Sequence, residues 1–482
     1  MEVIKLINLI RNELTKIFSK KAIYIYSIII FAILVGMSML AKNIENSTAI
    51  SDSFVEVLED NLGNYDLSNP QELEMYIGDR VIIDTNKLSR NYEYESLEYY
   101  YIDNTIEPLI HEKYSLEYVK KDVEGAKKVQ EEIDNEIKKL GNLDWKQELI
   151  DDKKEIEEEI KSYEDVLDID KNNEDVKLLL EDAKLRLWCV QYRIDNNVSY
   201  SYSELSNEVD NYYDYATKYA NIVKDESKIK DKSELNRKRE IESNYKESLY
   251  KLEHNMVSEN QFMLDFIPDS MAYVDGLIIV AILIICGSII SEEFNKGTIK
   301  QLLTKPFSRA KILTSKMIAG LIAVTIFVII YEIVFTIANC YEYSDFTSIF
   351  GNTVVYDFNI GKVREVSILS QCIYGFISVL PAYLIMFAIV FFIGVLTTNS
   401  VSTICAGFGI FIFYDLLGSW LSPKVLSFLP FYTWDLTPYM YGGVSSNQYA
   451  TFGKSLFIDI LTFVVFMVGS YIIFKRKDIK NQ

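Results

Sequence analysis

SEEFNKGTIKQLLTKPFSRAKILTSKM, Ser291 to Met317, lies between two long apolar runs and decides how the rest of the chain is read. It carries six Lys/Arg (Lys296, Lys300, Lys305, Arg309, Lys311 and Lys316) beside the acidic pair Glu292 and Glu293. A short loop this basic between two membrane helices belongs on the cytoplasmic side, because Lys and Arg resist translocation. The stretch also has internal order: the acidic pair, Gly297-Thr298 as a helix restart, an amphipathic turn, then Pro306-Phe307-Ser308-Arg309. An ordinary positive-inside loop accounts for the charge; a docking element for a soluble partner accounts for the order as well.

Working outward, the flanking runs give a membrane body. Residues 1–20 predict an amphipathic helix, with Val3, Ile7, Ile10, Leu14 and Ile17 on one face and Lys5, Arg11 and Lys16 flanking it. Such a basic helix lies in the membrane interface. Ala22 to Ala41 is uncharged over twenty residues, the length that crosses ~30 Å of hydrocarbon; with an amphipathic leader before it, an uncleaved span is expected rather than a signal peptide. Further spans are expected at Ala272–Ile290, Ile318–Ala338, Ser370–Thr397 with a kink at Pro381, Val401–Leu421 and Leu456–Phe474. Residues 342–365 read as a polar external loop. Leu426 to Gly443, rich in aromatics and proline, suits interfacial or re-entrant helices. The expected fold is thus an all-α membrane protein of six transmembrane helices in three parts. These are 1–41 (interfacial helix and first span), 42–270 (an acidic helical domain) and 271–482 (spans two to six with the loop 291–317). Of the 19 Lys/Arg outside residues 42–270, 15 fall in the two termini and the 291–317 loop. That asymmetry predicts both termini inside and residues 42–270 outside the cell membrane.

The overall charge of −20 averages two materials. Residues 42–270 hold 55 Asp+Glu against 30 Lys+Arg, while the remainder is slightly basic. From Ser115 the acidic part shows heptad-like seams. Leu116, Val119, Val123, Ala126, Ile133, Ile137 and Leu140 predict one helix of about 25 residues, 35–40 Å long. Further seams run through Leu149–Leu167, Val176–Ile194, Leu205–Val223 and Ile241–Leu252, and predict antiparallel coiled-coil hairpins. The acidic faces read as solvated exteriors, or as a surface that captures or excludes a cationic substrate. The Tyr-rich stretch before them (NYEYESLEYYYI, 91–102) gives no period.

The loop's pattern resembles the type-2 ATP-binding-cassette export permeases: a span ending in Glu-Glu-Phe-x-x-Gly-Thr, then Leu-Leu, Lys-Pro-x-Ser-Arg and a Lys before the next apolar run. The resemblance covers residues 1–41 and 271–482, is specific in this loop, and agrees elsewhere in hydropathy and span count. It implies that the loop meets cytosolic ABC ATPase subunits, with Glu292, Glu293, Gly297, Thr298, Lys300, Pro306, Arg309 and Lys311 as coupling residues. It further implies a dimer with a second permease copy or paralogue. The resemblance leaves the cargo among peptides, drugs, lipids, glycans and sodium ions; the acidic domain favours a peptide or antimicrobial, moved outward across the lipid.

The chain carries no enzyme signature of its own. No Gly-x-x-x-x-Gly-Lys-Ser/Thr is present, since Gln448 stands where the first glycine would precede Gly453-Lys454-Ser455. His111 and His254 belong to no metal-like cluster, the five Cys form no disulfide or metal spacing, and no nucleic-acid signature occurs. No cofactor is expected on this chain; ATP and Mg would sit on the partner ATPase. Intramembrane acids are functional candidates by default, which marks Glu332 and Asp415 as pathway residues. A different class, a membrane-anchored sensor or scaffold relaying contacts of residues 42–270 to a cytoplasmic partner, stays open. Secondary transport, which calls for paired intramembrane charges or inverted repeats, has neither in evidence.

Overall fold

The computed structural model describes residues 2–46, 52–224, 232–257, 271–289, 307–342, 347–445 and 447–477. The chain divides into two compact units: one of residues 1–40, 226–243 and 262–482, the other of 41–225 and 244–261. Residues 226–243, inside the acidic block, therefore group with the apolar unit.

The first unit opens with α1 (Glu2–Phe18), which turns at Ser19-Lys20 into α2 (Lys21–Asn46). Helical axes over Leu6–Phe18 and Ile23–Met37 meet at 61°. The second unit, entered through the end of α2, comprises α3 (Asp52–Asn61), α4 (Pro70–Ser89), α5 (Leu97–Tyr101), α6 (Glu107–Tyr114), α7 (Val123–Lys139), α8 (Trp145–Ile169), α9 (Glu174–Asn196), α10 (Glu204–Lys224) and the second half of α11 (Lys232–Glu253). The chain then returns to the first unit through α12 (Met271–Ile289) and α13 (Arg309–Glu342). Strands β1 (Asn352–Asp357) and β2 (Lys362–Ser367) follow, then α14 (Ile368–Thr397), α15 (Ser400–Trp420), the short α16 (Pro423–Leu426) and α17 (Phe452–Arg476).

In the first unit, four helices are long and apolar enough to cross a membrane: Arg309–Tyr341, Ile368–Thr397, Ser400–Trp420 and Phe452–Arg476. The bent pair at the start brings the number to five if it is one span, and α12 contributes a shorter apolar segment, Ile278–Gly287. These counts are of the described residues. One interlocked core joins α2, α12, α13 and α14 through Ile30, Leu34, Leu283, Leu313, Val328, Phe387 and Phe391. Close approach depends on glycine: a Cβ on Gly320 would stand 2.6 Å from the Phe387 ring, and one on Gly287 would stand 2.8 Å from Ile404. The outward faces keep large apolar side chains exposed, among them Ile333, Ile337, Ile412, Leu416, Val464 and Val468. Water does not tolerate so continuous a surface, whereas lipid does. This composition is that of a membrane protein. Helix α14 runs unbroken through Pro381.

Residues 352–367, expected as loop, form an antiparallel hairpin with Asn352 opposite Ser367 and Asp357 opposite Lys362. Gly361 turns it at φ +64°, and Arg364 donates to Asp357 at 2.9 Å. Alternation places Val354 and Tyr356 inward. Among the described residues the fold is therefore helical with one small hairpin. Against it lies the first half of α11, where Tyr356 donates to Glu242 at 3.4 Å and Arg239 stands 5.5 Å over Phe358. The expected interfacial stretch is observed as α16 and the 3₁₀ turns Pro430–Tyr432 and Thr437–Gly442.

The second unit departs from the expected coiled coil. The single helix anticipated over 116–140 stops at Lys121, which adopts left-handed φ +57°. Asp122 then caps α7 by accepting from the Gly125 amide at 2.9 Å. Val119 and Val123 are consequently 57% and 60% exposed rather than in a seam. Several small cores replace one long seam. Ile77, Val81, Ile102, Ile106, Ile110, Tyr114 and Ile133 close one. Leu149, Ile156, Ala183 and Val190 join α8 to α9. Cys189, Val209, Tyr212 and Leu252 join α9, α10 and α11. The α8–α9 hairpin matches its expected bounds because Asp144 and Asn173 cap the two helices through the Gln147 and Val176 amides.

Candidate functional site

The basic ends of the apolar helices converge in the first unit. Helix α1 places Glu13 on the face turned to α13, where Ile17 is also buried, 2% exposed. From α13, Lys316 reaches Glu13 at 2.8 Å, and the Lys316 ammonium donates a second bond to the Ile289 carbonyl at the end of α12, 3.3 Å away. Both side chains are almost fully buried, Lys316 to 2% and Glu13 to 6%. Lys16, a turn beyond Glu13, holds its other oxygen at 2.8 Å. Desolvating either charge alone would cost several kcal/mol, so each stands in this apolar setting because the other is present.

A second knot lies at the end of α17. Lys477 donates to the carbonyls of Val395 and Leu396 at 2.8 Å each. Those are among the last carbonyls of α14, which a helix cannot satisfy internally. The Lys477 carbonyl accepts from Arg309 at 3.0 Å, and Arg309 is the first residue of α13. Thr398, at φ +55°, ends α14, and Asn399 starts α15 by accepting from the amides of Val401 and Ser402. Five elements are thus tied by two knots that share helix α13: α1 to α12 and α13 through Glu13 and Lys316, and α13 to α14 and α17 through Arg309 and Lys477.

The sequence residues expected to couple to a partner divide by position. Glu292, Glu293, Gly297, Thr298, Lys300 and Pro306 lie outside the described residues. Arg309 and Lys311 open α13, both half-buried, and the Ser308 hydroxyl caps the helix through the Lys311 amide at 3.3 Å. The basic stretch therefore continues as helix into the apolar run instead of ending as a loop before it. Glu332 is half-buried on α13, electrostatically close to Cys372 of α14. Asp415 lies within α15, and its side chain is outside what is described.

Two elements of this unit escaped the sequence reading. Lys316 counts in the sequence only as one of the basic residues of the 291–317 stretch, and Glu13 does not stand out there; the signal that joins them is an acid on the apolar side of an otherwise basic amphipathic helix. Asp459, on α17, is 3% exposed; its Oδ1 accepts from Thr433 at 3.2 Å, and its Oδ2 has no hydrogen-bond partner among the described residues. An Asp inside the run 456–474 was its signal. Among the described residues no group of three or more His, Cys, Asp or Glu is placed to hold a metal ion.

No solved structure matches the chain. It is similar to the uncharacterized protein YhcI of Bacillus subtilis (strain 168), 26% identical over 261 residues that cover 52% of this chain and 81% of that protein. A family model described as "Protein of unknown function (DUF2705)" matches residues 240–480. That match takes in half the chain, including α12 to α17 and the cation cluster at their ends, and the chain belongs to this family.

Proposed function

We propose that the chain is the membrane permease subunit of an ATP-driven exporter, powered by separate cytosolic ATPase subunits that dock on the basic stretch ending at Met317. The observation that carries the reading is the placement of that stretch's last turns. Arg309 and Lys311 begin the same helix that holds Lys316 against Glu13, and Arg309 contacts the end of α17. A push on these residues reaches α1, α12, α14 and α17 at once.

In this reading Lys300, Arg309 and Lys311 meet acids of the ATPase, Glu293 pairs with one of its basic groups or caps the helix at Thr298, and Gly297 permits the turn. Glu292 and Pro306 belong to the same element. Two permease copies or paralogues enclose the pathway, both termini face the cytoplasm, and residues 42–270 face outward. Glu332, Asp415 and the buried Asp459 are the pathway acids. The cargo is a peptide, an antimicrobial or a drug.

The test is co-purification. Arg309→Glu with Lys311→Glu should abolish recovery of an ATPase encoded beside this gene, while the variant permease stays monodisperse in detergent. An intact complex with unchanged nucleotide-dependent transport would refute the docking role. A wild-type preparation that carries no ATPase and stimulates none would favour a sensor that relays contacts of residues 42–270 to a cytoplasmic partner.

A further inference from the structure

The second unit holds a groove between the first half of α9 and the last half of α10, with a volume of about 440 Å³. Its floor is apolar: Leu179, Leu185 and Ala220, with Leu179 48% exposed. Its rim is acidic: Asp175, Glu181 and Asp182. The two properties have different physical consequences. An apolar floor left open to water gains by burial, and an acidic rim excludes anionic occupants. The surroundings reinforce the rim, since residues 41–225 and 244–261 hold 48 Asp+Glu against 24 Lys+Arg. Potentials of that sign concentrate cations near the surface before any contact forms.

We infer that this groove binds a cationic amphipathic peptide segment, its apolar face on Leu179, Leu185 and Ala220 and its Lys/Arg groups against Asp175 and Glu181. Asp182 is the rim's supporting group: its carboxylate accepts from Tyr213 at 2.8 Å, which ties α9 to α10, and from Arg186 of its own helix at 3.1 Å. The protein supplies its own mimic of the occupant. Lys224, at the end of α10, brings its ammonium to 3.6 Å from Asp175, whose own side chain is 92% exposed. That pair shows a lysine ammonium already seated at the rim, where a ligand's Lys or Arg would compete for Asp175. Lys224 consequently competes with the ligand, and its removal strengthens binding.

That the bound peptide is the exporter's cargo rests on the proposed function; the binding itself does not. The test therefore omits nucleotide and ATPase. The full chain is placed in nanodiscs of zwitterionic lipid, and a fluorescent helical peptide of Leu and Lys is titrated by anisotropy against its Leu/Glu counterpart. The Lys peptide should bind saturably and weaken roughly tenfold on raising salt well above physiological strength, as screening requires. Glu181→Lys and Leu179→Ser should each weaken it at least about fivefold, through the rim and the floor respectively. Lys224→Ala should tighten it about threefold, a gain that misfolding cannot imitate. Equal binding of the acidic peptide, equal binding by empty nanodiscs, or Lys-peptide binding that none of the three variants alters would overturn the assignment. Binding that persists when no ATPase associates would leave the groove standing and remove only the export reading.

Discussion

The two units solve the burial of polar groups in opposite ways. Among its described residues the first has one continuous core and sets its internal charges against specific partners, as Lys316 against Glu13 and Lys477 against the carbonyls of Val395 and Leu396. The second has several small cores and stitches them with tyrosines whose hydroxyls reach carboxylates. Tyr200 donates to Asp152 at 2.8 Å, Tyr101 to Glu136 at 2.5 Å, and Tyr114 and Tyr202 to Asp84 and Asp103. Burial together with the Asp84 carboxylate pushes the Tyr114 phenol up to about 12. A tyrosine fills apolar space with its ring and ends in a donor, so it suits a unit with too little core and a surplus of acid. The difference teaches that the surplus of acid is in part structural: many of those carboxylates accept bonds that hold the unit together.

The sharpest way to break the comparison is to remove one partner of the buried pair in the first unit. Lys316→Met alone leaves Glu13 in an apolar site with only Lys16 beside it, and should destabilise by about 3 kcal/mol. Lys316→Met with Glu13→Gln should recover most of that loss. Thermal unfolding of the detergent-solubilised protein checks both; a double variant as unstable as the single one would show that the pair is not the cause. In the second unit the nearest equivalent is Arg193, 1% exposed, which donates to Ser199, Ser206 and Asp210. Arg193→Ala should cost somewhat less, about 2–3 kcal/mol, since Asp210 is half exposed and water replaces its lost partner. Hydrogen exchange should then quicken about thirtyfold or more in α9 and α10 and stay unchanged in α14.

The smallest effect sharpens the claim about acids by its sign. Among the described residues, Glu148 is a carboxylate held by no such bond. Burial first, and the neighbouring Asp152 next, hold its carboxyl above the ordinary value. The folded unit therefore binds that proton more tightly than the unfolded chain does. Its stabilising contribution is complete below the unfolded value near ~4.3 and is lost as pH rises through the folded value. Glu148→Gln should raise the melting temperature of the second unit slightly at neutral pH and leave it unchanged near pH 4. A loss of stability at neutral pH would mean that Glu148 is one of the structural acids after all.

How much was legible follows from where each signal lived. Helices α8, α9 and α10 could be read almost to their ends, because their seams and their caps at Asp144 and Asn173 are local. The tyrosines of 91–102 could not. Two of them pack on partners about a hundred residues away: Tyr94 stacks on Tyr202 at 4.8 Å and Tyr100 on Tyr200 at 5.9 Å. The hairpin at 352–367 did carry a local signal, alternating Val354 and Tyr356 before a glycine turn, but its acidic and basic residues outweighed that alternation in a reading by charge. The break at Lys121 was hidden for the opposite reason. The heptad pattern runs straight across it, and only the cap at Asp122 decides. At the candidate site the basic residues were visible and their mutual contacts were not. The pairing of Glu13 with Lys316 spans some three hundred positions, and much of the stretch that first drew notice, residues 290–306, lies outside the described structure.

Helix α13 is continuous for 34 residues, from Arg309 to Glu342. At 1.5 Å per residue that is a rod of roughly 50 Å, well beyond the ~30 Å of a hydrocarbon layer. Moved as one rigid rod, it turns a tilt of about ten degrees at Arg309 into a displacement of roughly 9 Å at the opposite end. The basic stretch and the far surface are then two handles of one lever, and any force applied at the first is felt at the second without passing through a side chain.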